Sequence, residues 1–255
     1  MILTDYHLHT EYSWDSHLKA ENLIAKAISL KYDAIAITEH LDLLPWELGE
    51  NGLVSLRKYR DRLSELQASY PRLQVLGGIE IGDYQSVRDF ASDLISEYDF
   101  DLILGAVHFL VDRTNVAIPL PHPLDKSQIE AYYRLNLRLV NDCDIDILAH
   151  LGVYQRYYKA VPEESFALPI IKDIFRTLIE RGIALEINYS AYRKPLGCCL
   201  PNPAVLDLYL EMGGRLFSIG SDSHHLDHFH DWRHLLPGWT RELVFTHKRL
   251  LALPS

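Results

Sequence analysis

The N-terminal stretch contains two histidines, His7 and His9, one residue apart. If this segment is extended, its side chains alternate between two faces, and Asp5 joins the two histidines on one of them. Tyr6 and Leu8 would then occupy the opposite face. Two imidazoles at this spacing can hold one metal ion together. A chance pair has the same appearance, so the prediction depends on whether further ligands converge on these two residues.

Histidines and carboxylates recur along the chain at the ends of short apolar runs that predict β-strands. Nine of them are candidate metal ligands: His7, His9, Asp15, His40, Glu80, His108, His150, Asp222 and His224. The sixth run has no evident ligand and offers Glu186 and Asn188 instead. Nine ligands exceed the needs of one ion, since zinc takes about four and related ions up to about six. Two or three ions that share Glu80 fit the count, and the mixed donors favour Zn²⁺, Mn²⁺ or Fe²⁺ over Ca²⁺.

These residues require a scaffold in which distant strand ends meet. Seven strands are predicted, at residues 2–7, 34–38, 75–81, 102–107, 145–149, 184–187 and 216–219. Helical patterns lie between or after them, at residues 20–30, 55–69, 87–97, 126–141, 167–181, 203–212 and 239–253. Helical crossovers join parallel strands, which predicts a closed α/β barrel with seven strands, and a doubly wound open sheet is the alternative. In both folds the active site lies at the carboxyl edge of the strands.

Composition narrows the function classes. The 255 residues are 48% hydrophobic and 24% charged, which is typical of one soluble globular domain spanning residues 1–255. The net charge of −10 argues against broad binding to nucleic acid, while metal ions would still allow a small phosphorylated substrate. Cys198 and Cys199 are adjacent, which favours reduced thiols and a cytoplasmic protein. No signal peptide or membrane-length apolar run is evident, so no membrane association is predicted.

The strand-end motifs, in this order, resemble those of the PHP (polymerase and histidinol phosphatase) superfamily over nearly the whole chain. They are Asp5-x-His7-x-His9-Thr10, Thr38-Glu39-His40, Gly78-Ile79-Glu80, Val107-His108, Ala149-His150 and Gly220-Ser221-Asp222-Ser223-His224. Residues 107–110, 186–188 and 193–197 are similar to signatures of the HisK-type histidinol-phosphate phosphatases. The resemblance implies a distorted (β/α)₇ barrel in a single domain and a site for three metal ions.

The resemblance also implies roles for individual residues. The first ion would be held by His7, His9, Glu80 and Asp222, the second by Glu80, His108 and His150, and the third by Asp15, His40 and His224. Arg156 and Arg193 match arginines that engage the substrate phosphate, and Glu80, Asp222 and His224 would be catalytic. The implied reaction is the hydrolysis of L-histidinol phosphate in histidine biosynthesis, by a hydroxide that bridges two ions.

One segment departs from this resemblance. Residues 111–116 differ from the pattern expected in histidinol phosphatases, in a loop that helps to recognise the imidazole and amine of the substrate. Another phosphomonoester or a phosphodiester, such as a nucleotide or a phosphotyrosine, therefore stays open as the substrate. An amidohydrolase-type barrel is disfavoured because it usually has eight strands and a bridging modified lysine, where this chain has Glu80. An intact set of nine ligands also disfavours a non-catalytic metal-binding module.

Two further carboxylates lie close to the predicted ligands in the sequence. Asp5 and Glu39 are each expected to accept a hydrogen bond from a metal-ligating histidine, because such partners orient the imidazole.

Overall fold

The computed structural model describes residues 3–232 of the chain, and its seven β-strands form one parallel sheet in chain order. The strands are β1 (Thr4–Leu8), β2 (Ala34–Asp42), β3 (Gln74–Gly82), β4 (Leu102–Ala106), β5 (Ile147–Leu148), β6 (Ala184–Asn188) and β7 (Phe217–Gly220). The chain after β7 returns to β1, where Leu8 pairs with Ser223 and the Asp222 amide donates to the His7 carbonyl at 2.9 Å. The sheet is thus a nearly closed barrel, and the open-sheet alternative is wrong.

In the part of the chain that the structure describes, seven α-helices lie on the outside of the barrel and connect the strands. They are α1 (Ala20–Ser29), α2 (Pro45–Asn51), α3 (Leu56–Ser69), α4 (Tyr84–Ser96), α5 (Lys126–Asp142), α6 (Leu168–Arg181) and α7 (Pro203–Glu211). The six helices predicted between residues 20 and 212 are confirmed, α2 was not predicted, and the predicted helix at residues 239–253 lies outside the described residues. Within residues 3–232, no helix combines the length and the apolar character that crossing a bilayer requires.

The alternation of side chains along the strands explains why the polar residues reach one rim. Ala34 and Ala36 of β2 belong to a buried cluster inside the barrel, whereas Ile35 and Ile37 pack on the helix side. Small residues suit the narrow interior that a barrel of few strands leaves. Continuing the same face by steps of two brings the chain to His40 at the end of β2. The interior face is therefore apolar at its base and polar at its carboxyl end.

Two strands depart from the regular pattern that the sequence predicts. The pairing register of β1 with β2 shifts between Asp5 and Leu8, which marks a bulge or irregularity. Tyr6 consequently packs in the cluster inside the barrel, whereas Leu8 packs in the cluster on the helix side. The prediction that Tyr6 and Leu8 share one face of the strand is therefore wrong. Strand β5 has only two residues and is followed by His150, whose φ of 25° is unusual for a residue other than glycine.

Candidate metal centre

The structure brings all nine predicted ligands together at the carboxyl rim of the barrel. Three overlapping groups have potential ligand atoms within 4.8 Å of one another: His9, His40 and His224; His7, Glu80 and His150; His7, His9 and Asp222. His108 lies beside Glu80, and Asp15 lies beside His224. Residues that are far apart in the sequence thus form one cluster, as the positions of the strand ends predict.

Glu80 stands at the centre of this cluster, and its two carboxylate oxygens are directed toward different imidazoles. Its Oε2 lies 3.2 Å from His7 Nε2 and 3.5 Å from His9 Nε2. Its Oε1 lies 2.9 Å from His150 Nε2 and 3.6 Å from His108 Nε2. A carboxylate with this arrangement can join two cation positions, one on each of its oxygens.

The ligands predicted for a third ion adjoin the Oε2 side of Glu80. His224 Nε2 lies 3.1 Å from a carboxylate oxygen of Asp15, and His40 Nε2 lies 3.7 Å from the other oxygen. The two imidazoles approach to 3.3 Å between their Nε2 atoms. His40 also places its Nδ1 3.1 Å from Glu80 Oε2, so it lies between this group and the centre of the cluster.

The donor atoms of the cluster fit a cation better than they fit one another. His7 Nε2, His9 Nε2, His40 Nδ1 and Glu80 Oε2 are buried and make no hydrogen bond within residues 3–232. An unsatisfied buried polar atom costs about 1–3 kcal/mol, so several in contact are costly unless another group satisfies them. Imidazole nitrogens and carboxylate oxygens that point at a common centre are the ligand set of Zn²⁺ and related divalent ions.

The charges around the site favour ionised carboxylates and a neutral His9, whereas neighbouring carboxylates outweigh burial and raise the pKa values of His7, His40 and His108. Burial alone raises the pKa of Glu80, but the surrounding imidazoles, led by His7, hold that pKa well below its usual range. Burial likewise opposes the ionisation of Asp222, and the Arg156 guanidinium together with the nearby imidazoles outweighs burial and holds the Asp222 pKa well below its usual range. Burial and neighbouring imidazoles hold the pKa of His9 well below its usual range. Ionised carboxylates and a neutral imidazole can bind a cation without first losing a proton.

The tautomers of two histidines follow from their other hydrogen bonds. His9 Nδ1 lies 3.0 Å from Ser13 Oγ, and the Ser13 hydroxyl donates to Glu39. Ser13 therefore accepts the Nδ1–H of His9, which leaves the His9 Nε2 lone pair directed into the cluster. His224 similarly donates its Nδ1–H to the Asp222 carbonyl at 3.1 Å and directs Nε2 toward the site.

The carboxylates of Asp5 and Glu39 act differently from the prediction that each accepts directly from a ligating imidazole. Glu39 reaches His9 only through the Ser13 hydroxyl. Asp5 accepts from the backbone amides of His7 and Ser221, and from a tyrosine hydroxyl, so it fixes main chain at the ends of β1 and β7. Neither carboxylate accepts from a ligating imidazole, because the position of a residue on a strand does not show which atoms of the nearby histidine lie within hydrogen-bond distance of it.

The two predicted phosphate-binding arginines flank the cluster. Arg156 donates to Asp222 Oδ2 at 2.6 Å, while Asp222 Oδ1 faces the imidazoles of His7 and His9. Arg193 donates to the Ser221 carbonyl at 2.9 Å. Both arginines line a cavity of about 300 Å³, the outer cavity. A second cavity of about 140 Å³, the inner cavity, shares Arg156 and Asp222 with the outer one and reaches Glu80.

Sequence reasoning missed several residues that shape the site. Glu186 was noted only as polar, yet its Oε1 lies 2.7 Å from His7 Nδ1. Trp14 lines the inner cavity and donates its Nε1–H to Asp42 at 3.0 Å. Ser13 forms the link to His9 described above. The pairing of Glu186 with His7 spans 179 residues, so only the barrel topology could have suggested it.

Comparisons with known proteins agree with this geometry. Residues 5–190 match the family described as "PHP domain". A Clostridium acetobutylicum protein named "Probable histidinol-phosphatase" is 30% identical over 260 residues, covering 98% of this chain and 99% of its own length. A Lactococcus lactis protein named "Histidinol-phosphatase" is 26% identical over 86% of this chain and 83% of its own length.

A similar fold is found among solved structures. A crystal structure of histidinol phosphate phosphatase from Lactococcus lactis, complexed with zinc, L-histidinol and phosphate, aligns with a TM-score of 0.72 at 26% sequence identity. The alignment covers 90% of this chain and 88% of that one. The fold likeness thus extends over nearly the full length of both chains.

Proposed function

This chain belongs to the PHP domain family, and we propose that it is a metal-dependent phosphatase that hydrolyses L-histidinol phosphate to L-histidinol and phosphate. The names of its relatives and the ligands of the Lactococcus lactis structure support this substrate. The cofactors would be two or three divalent ions, with Zn²⁺, Mn²⁺ or Fe²⁺ as the candidates.

One observation carries the proposal: the two oxygens of Glu80 face separate groups of imidazoles. His7, His9 and His40 lie on the Oε2 side, and His108 and His150 lie on the Oε1 side. Two cation positions joined by one carboxylate are suited to phosphoester hydrolysis, because together they can stabilise the attacking and the leaving oxygens of an in-line displacement. A single structural ion would not need a carboxylate in this position.

We assign the nine ligands to ions as the family pattern implies. His7, His9 and Asp222 would serve with Glu80 on one side, and His108 and His150 would serve with it on the other. Asp15, His40 and His224 would hold a third ion. Bound divalent ions would supply a water of lowered pKa and would neutralise phosphate oxygens.

The arginines of this chain would bind and orient the phosphate. Arg193 is held by the Ser221 carbonyl, and its guanidinium lines the outer cavity. Arg156 neutralises Asp222 and keeps one carboxylate oxygen of that residue turned away from the imidazoles. A planar guanidinium can bind two phosphate oxygens at once, which suits it to holding an ester for in-line attack. Hydrolysis breaks the ester P–O bond, forms a new P–O bond from water and delivers one proton to the alcohol.

The inner cavity has walls that suit the organic part of such a substrate. Trp14 and Phe109 line it together with the carboxylates of Asp42 and Glu47. Aromatic faces can stack on an imidazole ring, and carboxylates attract an ammonium group. Asn115, in the stretch 111–116 that departs from the family pattern in sequence, also lines this cavity, and its loop is closed by a hydrogen bond from the Val116 amide to the His108 carbonyl at 2.8 Å.

A substrate panel tests the proposal. Protein loaded with Zn²⁺ or Mn²⁺ would be assayed for phosphate release from L-histidinol phosphate, phosphotyrosine, nucleoside monophosphates and a chromogenic phosphodiester. We expect the highest kcat/KM with L-histidinol phosphate and no activity after chelation. A higher kcat/KM with another ester would refute the substrate assignment. Absence of activity on every phosphoester by metal-loaded protein would refute the phosphatase assignment as well.

A further inference from the structure

Glu186 on β6 has no role in the assignments above, although it is completely buried beneath the cluster. Its Oε1 lies 2.7 Å from His7 Nδ1, and its Oε2 accepts the backbone amide of His150. The same carboxylate therefore reaches a candidate ligand on each side of Glu80. It lies too deep to face the cavities, whose linings do not include it.

The contact with His7 determines which nitrogen of that imidazole carries the proton. An ionised carboxylate has no hydrogen to donate, so His7 Nδ1 must be the donor in this pair. The Nε2 atom of His7 then presents a lone pair toward Glu80 Oε2 and Asp222 Oδ1, at 3.2 Å and 3.9 Å. A neutral imidazole can ligate a cation through Nε2 only in this tautomer.

The contact with His150 acts on the main chain instead. His150 has a φ of 25°, a conformation that costs of order 1–3 kcal/mol for a residue other than glycine. The hydrogen bond from its amide to Glu186 holds the backbone in this conformation. The His150 imidazole thereby reaches Glu80 Oε1, 2.9 Å away.

The neighbouring strand leaves space for this arrangement at one residue. A Cβ atom at Gly220 of β7 would overlap Glu186 Oε1 and would lie 2.6 Å from the Cβ of His7. Only glycine at this position allows the carboxylate and the imidazole to meet. The Glu186–His7 pair thus depends on the packing of three strands, β1, β6 and β7.

We propose that Glu186 is a positioning residue for the metal centre, which fixes the Nδ1–H tautomer of His7 and the backbone of His150. The inference rests on the metal site of the proposed function, but not on the identity of the substrate. Carboxylates that orient ligating histidines in this way commonly change metal affinity or activity by about 10- to 100-fold when they are replaced.

The test compares Glu186→Gln with Glu164→Gln, the same substitution at another buried carboxylate. Glu164 accepts from Tyr133 Oη at 3.0 Å and from Gln155 Nε2 at 2.9 Å, and it contacts none of the nine candidate ligands. Zn²⁺ affinity would be measured by competition with a chromophoric chelator, and the melting temperature of the metal-free protein would be recorded alongside. A glutamine cannot accept from both His7 and His150, because its amide group brings a donor to one of them.

We expect Glu186→Gln to bind Zn²⁺ about 10- to 100-fold more weakly than wild type, while Glu164→Gln binds it with unchanged affinity. Wild-type affinity in Glu186→Gln would overturn the proposal. An equal loss in both variants would overturn it too, because the effect would then follow from replacing any buried carboxylate by an amide. The experiment uses no substrate, so its outcome is independent of whether L-histidinol phosphate is hydrolysed.

A second measurement needs no variant. In the Zn²⁺-loaded wild-type protein, long-range ¹H–¹⁵N NMR spectra of ¹⁵N-histidine-labelled protein distinguish the two imidazole tautomers. We expect His7 to carry its proton on Nδ1, with a strongly downfield proton resonance from the hydrogen bond to Glu186. A His7 protonated on Nε2 would overturn the proposal even if Glu186→Gln failed to fold.

Discussion

The shared position of Glu80 makes a prediction about how many ions the protein binds. Glu80→Gln keeps the shape of the side chain but removes its charge and replaces one oxygen with an amide nitrogen. Because the two oxygens face different groups of imidazoles, the substitution weakens both cation positions together. His108→Ala removes a side chain that faces Oε1 alone, at 3.6 Å, and weakens only one of them. We therefore expect the first variant to lose two ions per chain and the second to lose one.

The size of the effect follows from the distances within the cluster. The Glu80 oxygens lie between 2.9 Å and 3.6 Å from the nitrogens of His7, His9, His108 and His150. Cations bound by these imidazoles would therefore lie close to the Glu80 carboxylate. Two unit charges about 4 Å apart interact by about 4 kcal/mol at an effective dielectric constant near 20. At roughly 1.4 kcal/mol per factor of ten, losing this interaction weakens the binding of each ion at least about a thousandfold.

Metal content provides the assay. Wild type, Glu80→Gln and His108→Ala would be loaded with Zn²⁺, passed through a desalting column and analysed by inductively coupled plasma mass spectrometry. Glu164→Gln serves as the control for loss of a buried carboxylate and should keep the wild-type metal content. Equal metal loss in Glu80→Gln and His108→Ala, or a full complement of ions in Glu80→Gln, would refute the view that Glu80 joins two cation positions.

Three further substitutions test other parts of the structure. Arg193→Ala should raise KM for phosphomonoesters and the inhibition constant of inorganic phosphate by about 10- to 100-fold, because a hydrogen bond to a charged group contributes about 1.5–3 kcal/mol. An unchanged inhibition constant would contradict the role of Arg193 in binding phosphate. Burial raises the pKa of Glu164 to about 7 from the usual 4.5, so its contribution to stability is present below pH 4.5 and is lost as the pH rises through 7. Urea unfolding should accordingly show wild type losing up to about 3 kcal/mol more than Glu164→Gln between pH 5 and pH 8, and parallel pH profiles would contradict this. Gly220→Ala should lower both Zn²⁺ affinity and the melting temperature, since its Cβ overlaps Glu186. Gly49→Ala has open space around its Cβ in helix α2 and should lower neither, and an equal loss in both variants would count against the packing argument.

The convergence of the candidate metal ligands could be predicted from the sequence because strand ends in a parallel barrel share one edge. A histidine or acid that ends an apolar run is brought to that edge by the topology alone, whichever helices intervene. His40 illustrates this, since steps of two from Ala34 along β2 lead directly to it. Helix α2 escaped prediction because its seven residues are too few for an apolar period, and Gly49 and Pro45 indicate a loop.

The supporting contacts could not be predicted because they depend on local backbone geometry. The irregularity in β1 interrupts the alternation of side chains between the two faces of the strand after Asp5. His150 follows a strand of only two residues and directs its imidazole by a positive φ, which no periodicity indicates. The Glu186–His7 contact joins β6 and β1, which do not pair with each other and both adjoin β7, so it requires both the closure of the barrel and the space at Gly220.

A buried cluster of this composition is unfavourable for stability in the absence of cations. The His9 ring lies with its centroid 4.2 Å from those of both His40 and His224, so positive charge on either neighbour opposes protonation of His9. Neutral imidazoles, in turn, leave the ionised carboxylate of Glu80 without enough compensating charge. Divalent ions remove both difficulties, because they balance the carboxylates and engage the lone pairs of neutral imidazoles. The cluster therefore lowers the folding stability of the metal-free protein, and metal binding offsets this cost. Such coupling between metal binding and folding stability is expected of a functional site.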